Sequence, residues 1–410
     1  MAGQERPLSR MYWRAWNAVG VSSLGDGLAL AALPLLAESL SKNGAWVTLV
    51  FAASRLPWLF FGLVAGAWVD TRPPRTTMIQ MDGVRFLTMA VLGAAVLAGV
   101  ATIPLVLATA FIMGLADCAH IPAAAAFLPS IVKSGELDRA NSYFTSAELA
   151  GEQFAGPATG GFLFASAPWL PFVANGFSFV GSAMLIRNVE ATELRSVVRE
   201  KLSVRRDVKE GWRWYRNNGD LWALTVLLCV GAAATGMTNS ALVLYGKRHL
   251  ELSNWQYGFF IAIPALGGLL GSALAFRIWR PLGTRRLVAF SLIAAALALF
   301  VCSQTKSPIV AGAALTVESF VPPLINTCIR TLRQQGVPNT LIGRVSSVGR
   351  LMLVGSAAGG AAVSGLIADR TSVPTVFGVG GGLIVTALLV GGRRLSKVRL
   401  DFDTTMTTAV

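Results

Sequence analysis

The chain has 410 residues, of which 54% are hydrophobic and only 14% are charged, and its mean hydropathy is +0.59. Soluble domains carry roughly a quarter charged residues, so this composition excludes an ordinary soluble protein and indicates an integral membrane protein. In a soluble chain the formal net charge of +14 would suggest nucleic-acid binding, but in a membrane protein the distribution of the charges matters more than their sum.

Apolar stretches that are long enough to cross a bilayer, which takes about 20 helical residues, follow one another along the chain. Twelve are predicted, at residues 15–37, 46–69, 78–99, 104–128, 141–165, 169–187, 220–245, 255–277, 286–304, 308–329, 343–367 and 373–392. The first lacks a convincing cleavage site and is long enough to span, so we expect a retained first helix rather than a signal peptide.

The basic residues predict the orientation of these spans. One alternating set of loops and termini holds 28 Lys and Arg, the other set holds 5, and Arg55 and Arg85 lie inside predicted spans. Because Lys and Arg in loops are retained on the cytoplasmic side, we expect both termini in the cytoplasm.

The stretch from Gly66 to Arg75 predicts a tight cytoplasmic turn between the second and third spans. Asp70 follows Gly66 by four residues, and Arg72, two prolines and Arg75 come next; proline ends a helix. Asp70 can pair with these arginines or face the start of another helix, and Arg344 opens the eleventh span. We expect these residues to form a latch that closes the cytoplasmic side; the alternative is an ordinary short loop.

Ionisable side chains inside a span cost several kcal/mol and default to a functional interpretation. Six of those in the N-terminal half are the candidates: Asp26, Arg55, Asp117, His120, Glu148 and Glu152. Asp26 and Arg55 lie at similar depths on adjacent spans, by the rise of about 1.5 Å per residue, and are predicted to form a buried ion pair.

Glu148 and Glu152 are predicted to carry a coupling proton. They are spaced i and i+4 on one helix face, and two carboxylates held close in a low dielectric cannot easily both be ionised. Asp117 and His120, one turn apart on the preceding span, are the next candidates. The alternative is that a glutamate only packs against a polar neighbour.

The sequence patterns of two further segments predict local structure. In Gly156-Pro157-Ala158-Thr159-Gly160-Gly161 the glycines allow a neighbouring helix to approach closely, and Pro157 predicts a kink. In the longest loop, 188–219, Val208, Trp212 and Tyr215 share a helical face, which predicts an amphipathic helix on the inner leaflet. A nucleic-acid-binding segment is the alternative for that loop.

An internal repeat with an offset of 205 residues aligns landmarks of the two halves. It places Gly66 on Gly271, Arg72 on Arg277, Arg75 on Arg280, Arg139 on Arg344 and Gly160 on Gly365. Two six-helix halves arranged as a parallel repeat account for this offset. We expect an N-terminal half at 1–187, an amphipathic linker at 188–219, a C-terminal half at 220–392 and a tail at 393–410.

The chain resembles transporters of the major facilitator superfamily. Gly66, Asp70, Arg72 and Arg75 match the loop between helices 2 and 3 of that superfamily, with Pro74 in place of the usual glycine. It looks most like the macrolide-efflux and enterobactin-exporter-like branch, on the marks Ser23-Leu24-Gly25-Asp26-Gly27, Arg55-Leu56-Pro57, Asp82, Arg85, Gly156-Pro157, Gly160-Gly161, Pro338 and Gly343-Arg344. The resemblance implies an all-α membrane fold with 12 transmembrane helices, and its helix 5 block is associated with antiporters.

These features predict a proton-coupled antiporter that exports amphipathic or cationic small molecules, such as drugs, macrolides or siderophore-like compounds, by alternating access. We expect a monomer in the bacterial inner membrane, with protons and a small molecule as partners and no nucleic acid. The substrate cavity is predicted to include Phe154, Asn175, Asn239, Tyr257, Glu318 and Asn326. A secondary importer or facilitator of a metabolite, and a non-transporting membrane sensor, are the alternatives.

No cofactor, metal or catalytic site is expected. The chain has two histidines, and its four cysteines, Cys118, Cys229, Cys302 and Cys328, form neither a CxxC pair nor a Cys/His cluster. The sequence also contains no nucleophile–base constellation and no phosphate-binding motif.

Overall fold

The computed structural model describes residues 8–69, 71–189, 204–338 and 341–395, and this part of the chain is helical apart from short connections. The helices are α1 (Arg10–Leu40), α2 (Gly44–Phe60), α3 (Gly62–Val69), α4 (Pro74–Leu97), α5 (Ile103–Ile131), α6 (Leu137–Glu148), α7 (Gly156–Ser166), α8 (Leu170–Arg187), α9 (Val204–Asn217), α10 (Gly219–Leu244), α11 (Asn254–Ala262), α12 (Ala265–Gln304), α13 (Pro308–Gly336), α14 (Ile342–Arg370) and α15 (Val373–Leu395). Two π-helical segments, Leu149–Ala155 and Tyr245–His249, continue α6 and α10, and a 3-10 turn, Ser134–Glu136, precedes α6.

Among the described residues, nine helical segments are long and apolar enough to cross a membrane. The all-helical membrane architecture follows from these segments. The count of twelve spans and the cytoplasmic location of both termini stay predictions.

The helices break where Pro and Gly interrupt the predicted spans. The predicted span 46–69 divides into α2 and α3 at Phe61, and Pro57 lies in the last turn of α2. The predicted span 255–277 divides at Pro264, which caps α12. Gly283 takes φ 67° and ψ 166° inside α12, so the chain turns there between the eighth and ninth predicted spans; positive φ favours glycine.

The helices pack into two units. The first comprises Met1–Leu40, Leu56–Lys201 and Ser253–Ala262, and the second comprises Ser41–Arg55, Leu202–Leu252 and Ile263–Val410. The boundary therefore passes through α2, and α11 belongs to the first unit. The predicted halves, 1–187 and 220–392, remain a prediction about the repeat.

In the first unit α1 packs against α8, α7 and the π segment Leu149–Ala155, while α4 packs against α5 and α8. Glycine lets the backbones touch: a Cβ on Gly156 would lie 2.5 Å from the Cα of Gly27, and one on Gly151 would lie 2.8 Å from the backbone nitrogen of Leu24. On the next turn Gly160 meets Leu28, and Gly161 meets Gly258 of α11. The Gly156–Gly161 block thus packs against two helices.

Pro157 is the second residue after the π segment, and the predicted disturbance of the helix takes the form of that segment. Proline has no N–H to donate to the carbonyl four residues earlier. The backbone N–H of Gly156 bonds to the carbonyl of Gly151, which is the i+5 spacing of a π-helix. The helix is therefore widened just before the proline.

In the second unit α10 packs on α14 and α12 packs on α13. A carboxylate from α14 also caps α2: the backbone N–H groups of Gly44 and Ala45 donate to Oδ1 and Oδ2 of Asp369, at 2.8 and 3.0 Å. The guanidinium of Arg248 donates to the carbonyls of Lys42 (2.9 Å) and Ser41 (3.3 Å) just before α2. The start of α2 is thus fixed by side chains from its own unit.

Of the predicted linker 188–219, residues 190–203 lie outside the described part, and α9 occupies most of the remainder. Tyr215 of α9 is fully buried with Val345 and Val348 of α14. On the predicted apolar face, Tyr215 is therefore covered by protein, whereas Trp212 is 41% exposed.

Candidate functional site

The first unit holds a cluster of ionisable side chains, two of them buried and three half-buried, which we call the Arg85 cluster: Asp26 on α1, Asp82 and Arg85 on α4, and Asp117 and His120 on α5. Asp82 and Arg85 are 1% and 2% exposed, whereas the Asp117 side chain is 35% exposed. The i, i+3 spacing puts Asp82 with Arg85, and Asp117 with His120, on one face of their helices. Since α4 packs on α5, the two faces meet.

Arg85 is the centre of the cluster. Its guanidinium donates a charge-assisted hydrogen bond to Oδ1 of Asp117, and its Nη1 lies 3.8 Å from Oδ1 of Asp82. The ring of Phe179 on α8 lies 5.3 Å from its Cζ. Nε2 of His120 lies 3.4 Å from the same oxygen of Asp82.

The cluster has more carboxyl groups than guanidinium groups. Asp82 and Asp117 lie beside the guanidinium of Arg85, and Asp26 interacts electrostatically with Arg85, Asp117, Glu152 and Asp82. The carboxyl group of Asp82 is buried between Arg85 and His120, and Ser182 is a further side-chain hydrogen-bond partner. Several carboxyl groups near one buried cation are costly to keep ionised together, so this arrangement suits the uptake of a proton or another cation.

The predicted Asp26–Arg55 pair joins residues of different units and stays a prediction. Arg55 is exposed, and its guanidinium lies 5.2 Å from the ring centroid of Phe51 on its own helix. Within the first unit, the cation that acts most strongly on Asp26 is Arg85.

Glu148 and Glu152 lie at the junction of α6 and the π segment. Both side chains are exposed on the protein surface, and they interact electrostatically. The π segment interrupts the α-helical register on which their shared face was predicted. Glu152 also interacts electrostatically with Asp26, and this interaction connects the two glutamates to the Arg85 cluster.

The predicted latch is described only in part. Asp70 lies outside the described residues, and Gly66 is described only as part of the α3 backbone. Arg72 stacks over Trp68 at 4.2 Å, and Arg75 donates to the carbonyl of Arg187. In the second unit Arg344 pairs with Glu210 of α9.

The predicted substrate residues are divided between the units. In the first unit Asn175 and Tyr257 are buried, and Phe154 is half-buried. The amide oxygen of Asn175 accepts a hydrogen bond from Ser178, 3.3 Å away. In the second unit Asn239 and Asn326 are exposed.

Glu318 is the buried carboxylate of the second unit's predicted set. It is 7% exposed, and Oε1 accepts a hydrogen bond of 3.0 Å from the hydroxyl of Thr235. The cavity assignment of all six residues stays a prediction.

Sequence reasoning missed the role of Asp82 and Arg85, which served only as marks of a resemblance. The signal was present: Asp82 and Arg85 are an i, i+3 pair inside one predicted span, and Asp117 and His120 repeat that spacing in the next. Ionisable pairs at helical spacing on consecutive spans indicate a shared buried site. The described residues contain no group of three or more His, Cys, Asp and Glu that could hold a metal ion.

The comparisons with known proteins decide the class. The family described as transmembrane secretion effector, of the major facilitator superfamily, matches residues 3–406. The chain belongs to this family. A transmembrane secretion effector of this superfamily is a multi-pass membrane transporter of small molecules, and membership implies a transporter rather than an enzyme.

Solved structures show the same fold. A mutant of the nucleoside transporter NupG has a TM-score of 0.81 at 10% identity, covering 94% of this chain and 99% of that chain. A bacterial homologue of the iron transporter ferroportin, in an inward-facing state, has a TM-score of 0.75 at 16% identity, covering 95% and 100%.

A bacterial homologue of the human lysosomal transporter Spinster has a TM-score of 0.69 at 13% identity, covering 94% and 95%. At these identities the likeness shows that this secretion effector has the fold of those transporters and nothing about its substrate. No curated protein matches the sequence.

Proposed function

We propose that this chain is a proton-coupled antiporter that exports amphipathic or cationic small molecules from the bacterial cytoplasm across the inner membrane. The observation that carries the proposal is the Arg85 cluster, in which Asp82 and Asp117 lie beside a single guanidinium and Asp26 interacts with it electrostatically. A site with more carboxyl groups than cations is stabilised by either of two ligands, a proton or an organic cation.

Exchange follows from competition at this site. A proton that neutralises one carboxyl group lowers the affinity for a cationic substrate, and a bound cation favours release of the proton. In this scheme Glu152 carries the proton between water and Asp26, because it is exposed and acts electrostatically on Asp26. Glu148 supports Glu152 as its like-charged neighbour.

The position of Asp117 supports the same scheme. Its carboxylate is about one-third exposed and bonded to Arg85, while Asp82 is buried on the other side of the guanidinium. Asp117 can therefore bind or release a proton or another cation from solution. When Asp117 is neutralised, it attracts Arg85 less, and Arg85 then interacts mainly with the carboxylate of Asp82. Nε2 of His120 lies 3.4 Å from Oδ1 of Asp82, so the imidazole ring is placed beside that carboxyl group.

The test is transport into everted membrane vesicles with ethidium as the probe. An acidic vesicle interior is expected to drive ethidium uptake by wild type, and dissipating the pH gradient is expected to stop it. Glu152→Gln and Asp82→Asn are expected to lose gradient-driven uptake. Asp138→Asn is the matched control, since Asp138 is exposed on α6 and outside the cluster.

Other outcomes separate the alternatives. Gradient-driven uptake at the wild-type rate in both variants would show that the cluster does not couple protons. Exchange of a metabolite at a rate that does not depend on the pH gradient would favour a facilitator or importer. The absence of flux for every compound in a broad panel of candidate substrates would favour a membrane sensor.

A further inference from the structure

Helix α9 has one face that is fixed to the protein. Gly211 packs so closely on α14 that a Cβ at this position would lie 2.7 Å from the carbonyl oxygen of Arg344. Tyr215, one turn later, is fully buried, and Glu210 pairs with Arg344. The side of α9 that carries Gly211 and Tyr215 is therefore packed against protein and does not face a membrane.

The other face of α9 is basic and exposed. Lys209, Arg213 and Arg216 are all exposed, and at about 100° per residue they fall within about 60° of one another. Glu210 points to the protein, so it does not offset these three charges. The three cations form a compact cluster, and the packing of the opposite face on α14 fixes the rotation of the helix about its axis.

Trp212 lies between the basic face and the buried face. It is 41% exposed, and its ring lies 5.3 Å from that of Trp222 in an edge-on arrangement. Trp222 belongs to α10, whose apolar segment Leu221–His249 is long enough to cross a membrane. Tryptophan at the end of a span lies at the level of the lipid headgroups.

The connection to α10 fixes the height of α9. α9 ends at Asn217 and α10 begins at Gly219, so a single residue separates them. A helix joined so closely to a membrane span lies at the membrane surface. Cations on such a helix meet lipid phosphates, whereas a nucleic acid would also have to approach the apolar end of α10.

We propose that Lys209, Arg213 and Arg216 bind the phosphate groups of anionic lipid headgroups, with Trp212 packed at the acyl boundary. Lipids bound there also hold the start of α14, because Glu210 and Gly211 connect α9 to Arg344. The lipid composition of the leaflet thus acts on a helix of the transport core through the linker. This proposal is independent of the substrate and of proton coupling.

The experiment measures the unfolding temperature of the purified full chain in neutral detergent during titration with phosphatidylglycerol or phosphatidylcholine. A ligand that binds the folded state raises this temperature. We expect phosphatidylglycerol to raise it and phosphatidylcholine not to. The K209Q/R213Q/R216Q variant is expected to bind phosphatidylglycerol roughly a hundredfold more weakly, from the usual contribution of each of the three cations near a charged surface.

Two variants control for charge and for folding. R280Q/R285Q/R286Q removes three exposed cations from another connection and is expected to keep the lipid response. K209R/R213K/R216K keeps the charges of α9 and is expected to restore the response. All variants should unfold at the same temperature without lipid.

Three results would overturn the proposal. One is an equal response in wild type and K209Q/R213Q/R216Q, and another is no response of wild type to phosphatidylglycerol. The third is an equal response to sn-glycerol 3-phosphate, which would show a site for a free phosphate and not for a lipid.

Discussion

A guanidinium buried inside a membrane span is stable only where carboxylates compensate for its lost hydration. Arg85 meets this condition with Asp117 as a hydrogen-bonded partner and Asp82 on its other side. The arrangement is asymmetric because Asp117 is partly exposed and Asp82 is not. If Arg85 were removed, the buried carboxylate of Asp82 would therefore be destabilised more than the partly hydrated carboxylate of Asp117.

At this residue, Arg85→Gln is expected to lower the free energy of unfolding by about 3–5 kcal/mol, as for other buried pairs that lose one partner. Asp117→Asn should cost less, because its partly exposed carboxylate is already hydrated in part. The double variant should cost less than the sum of the two. Unfolding by SDS titration in mixed micelles measures all three, and additive costs would show that the two side chains do not interact.

Arg55 provides the contrasting case. It is exposed and stacks on Phe51, a contact worth about 0.5–1 kcal/mol at such sites. Arg55→Gln is therefore expected to cost less than about 1 kcal/mol in the same titration. A cost equal to that of Arg85→Gln would mean that Arg55 has a buried partner after all.

How much of the site could be predicted depends on the residue. Asp26, Asp117 and His120 were found from their place inside apolar spans, because an ionisable side chain is conspicuous there. The approach of Arg85 to Asp82 and Asp117 could not be predicted, because only packing tells which side chains of neighbouring spans face one another. Asp70 remains a sequence prediction because the described residues do not include it.

Two glycines of the fifth predicted span determine how closely it packs against α1. Gly156 and Gly160 sit against the backbone of α1, where a methyl group on either would overlap main-chain atoms of Gly27 or Leu28. The main chain cannot move aside as a long side chain can. The glycines therefore set the distance between these helices.

Substitution to alanine tests this contact. Gly156→Ala and Gly160→Ala are each expected to destabilise the protein by about 1–3 kcal/mol, as overpacked sites do. The matched control is Gly83→Ala on α4, where a Cβ would have no neighbour within 4 Å. That change should be neutral or stabilising by up to about 1 kcal/mol, because alanine is the better helix former.

Asp369 tests an interaction between elements of the second unit. Asp369→Ala is expected to expose the N–H of Gly44 to exchange and to cost about 1 kcal/mol, as the loss of a helix cap does. Ala45 should respond less, because Asn43 Oδ1 also accepts its N–H at 2.9 Å. Hydrogen–deuterium exchange with residue-level fragmentation measures both amides, and equal protection in wild type and variant would contradict a capping role.

At the scale of the whole molecule, the charge asymmetry makes a prediction that is independent of every side-chain contact. With 28 Lys and Arg on one side and 5 on the other, residue 139 should face the cytoplasm and residue 42 the opposite side. A membrane-impermeant maleimide applied to intact cells should label Lys42→Cys but not Arg139→Cys. Everted vesicles should give the reverse, and wild type controls for Cys229, which is half-buried.

The fold was predictable because hydropathy and loop charge act over whole segments, so errors at single residues average out. The breaks at Phe61 and within 149–155 were not, because they depend on how one turn of backbone hydrogen bonds adapts to its surroundings. Pro157 predicted a disturbance in the fifth span but not its form. The resemblance to the superfamily was confirmed by the family match, while the macrolide-efflux and enterobactin-exporter-like branch stays a prediction.

The number of residues in the π segment Leu149–Ala155 sets the rotation of α6 relative to α7. A π turn holds more residues than an α turn, so the helix on one side is rotated relative to the other, by about 100° for one inserted residue. Gly156 is held against α1, and α6 must therefore take up that rotation. The deletion of one residue from 149–155 would turn Glu148 and its neighbours to a new direction that no point substitution could produce. At this place in the helix, the number of residues sets where Glu148 points.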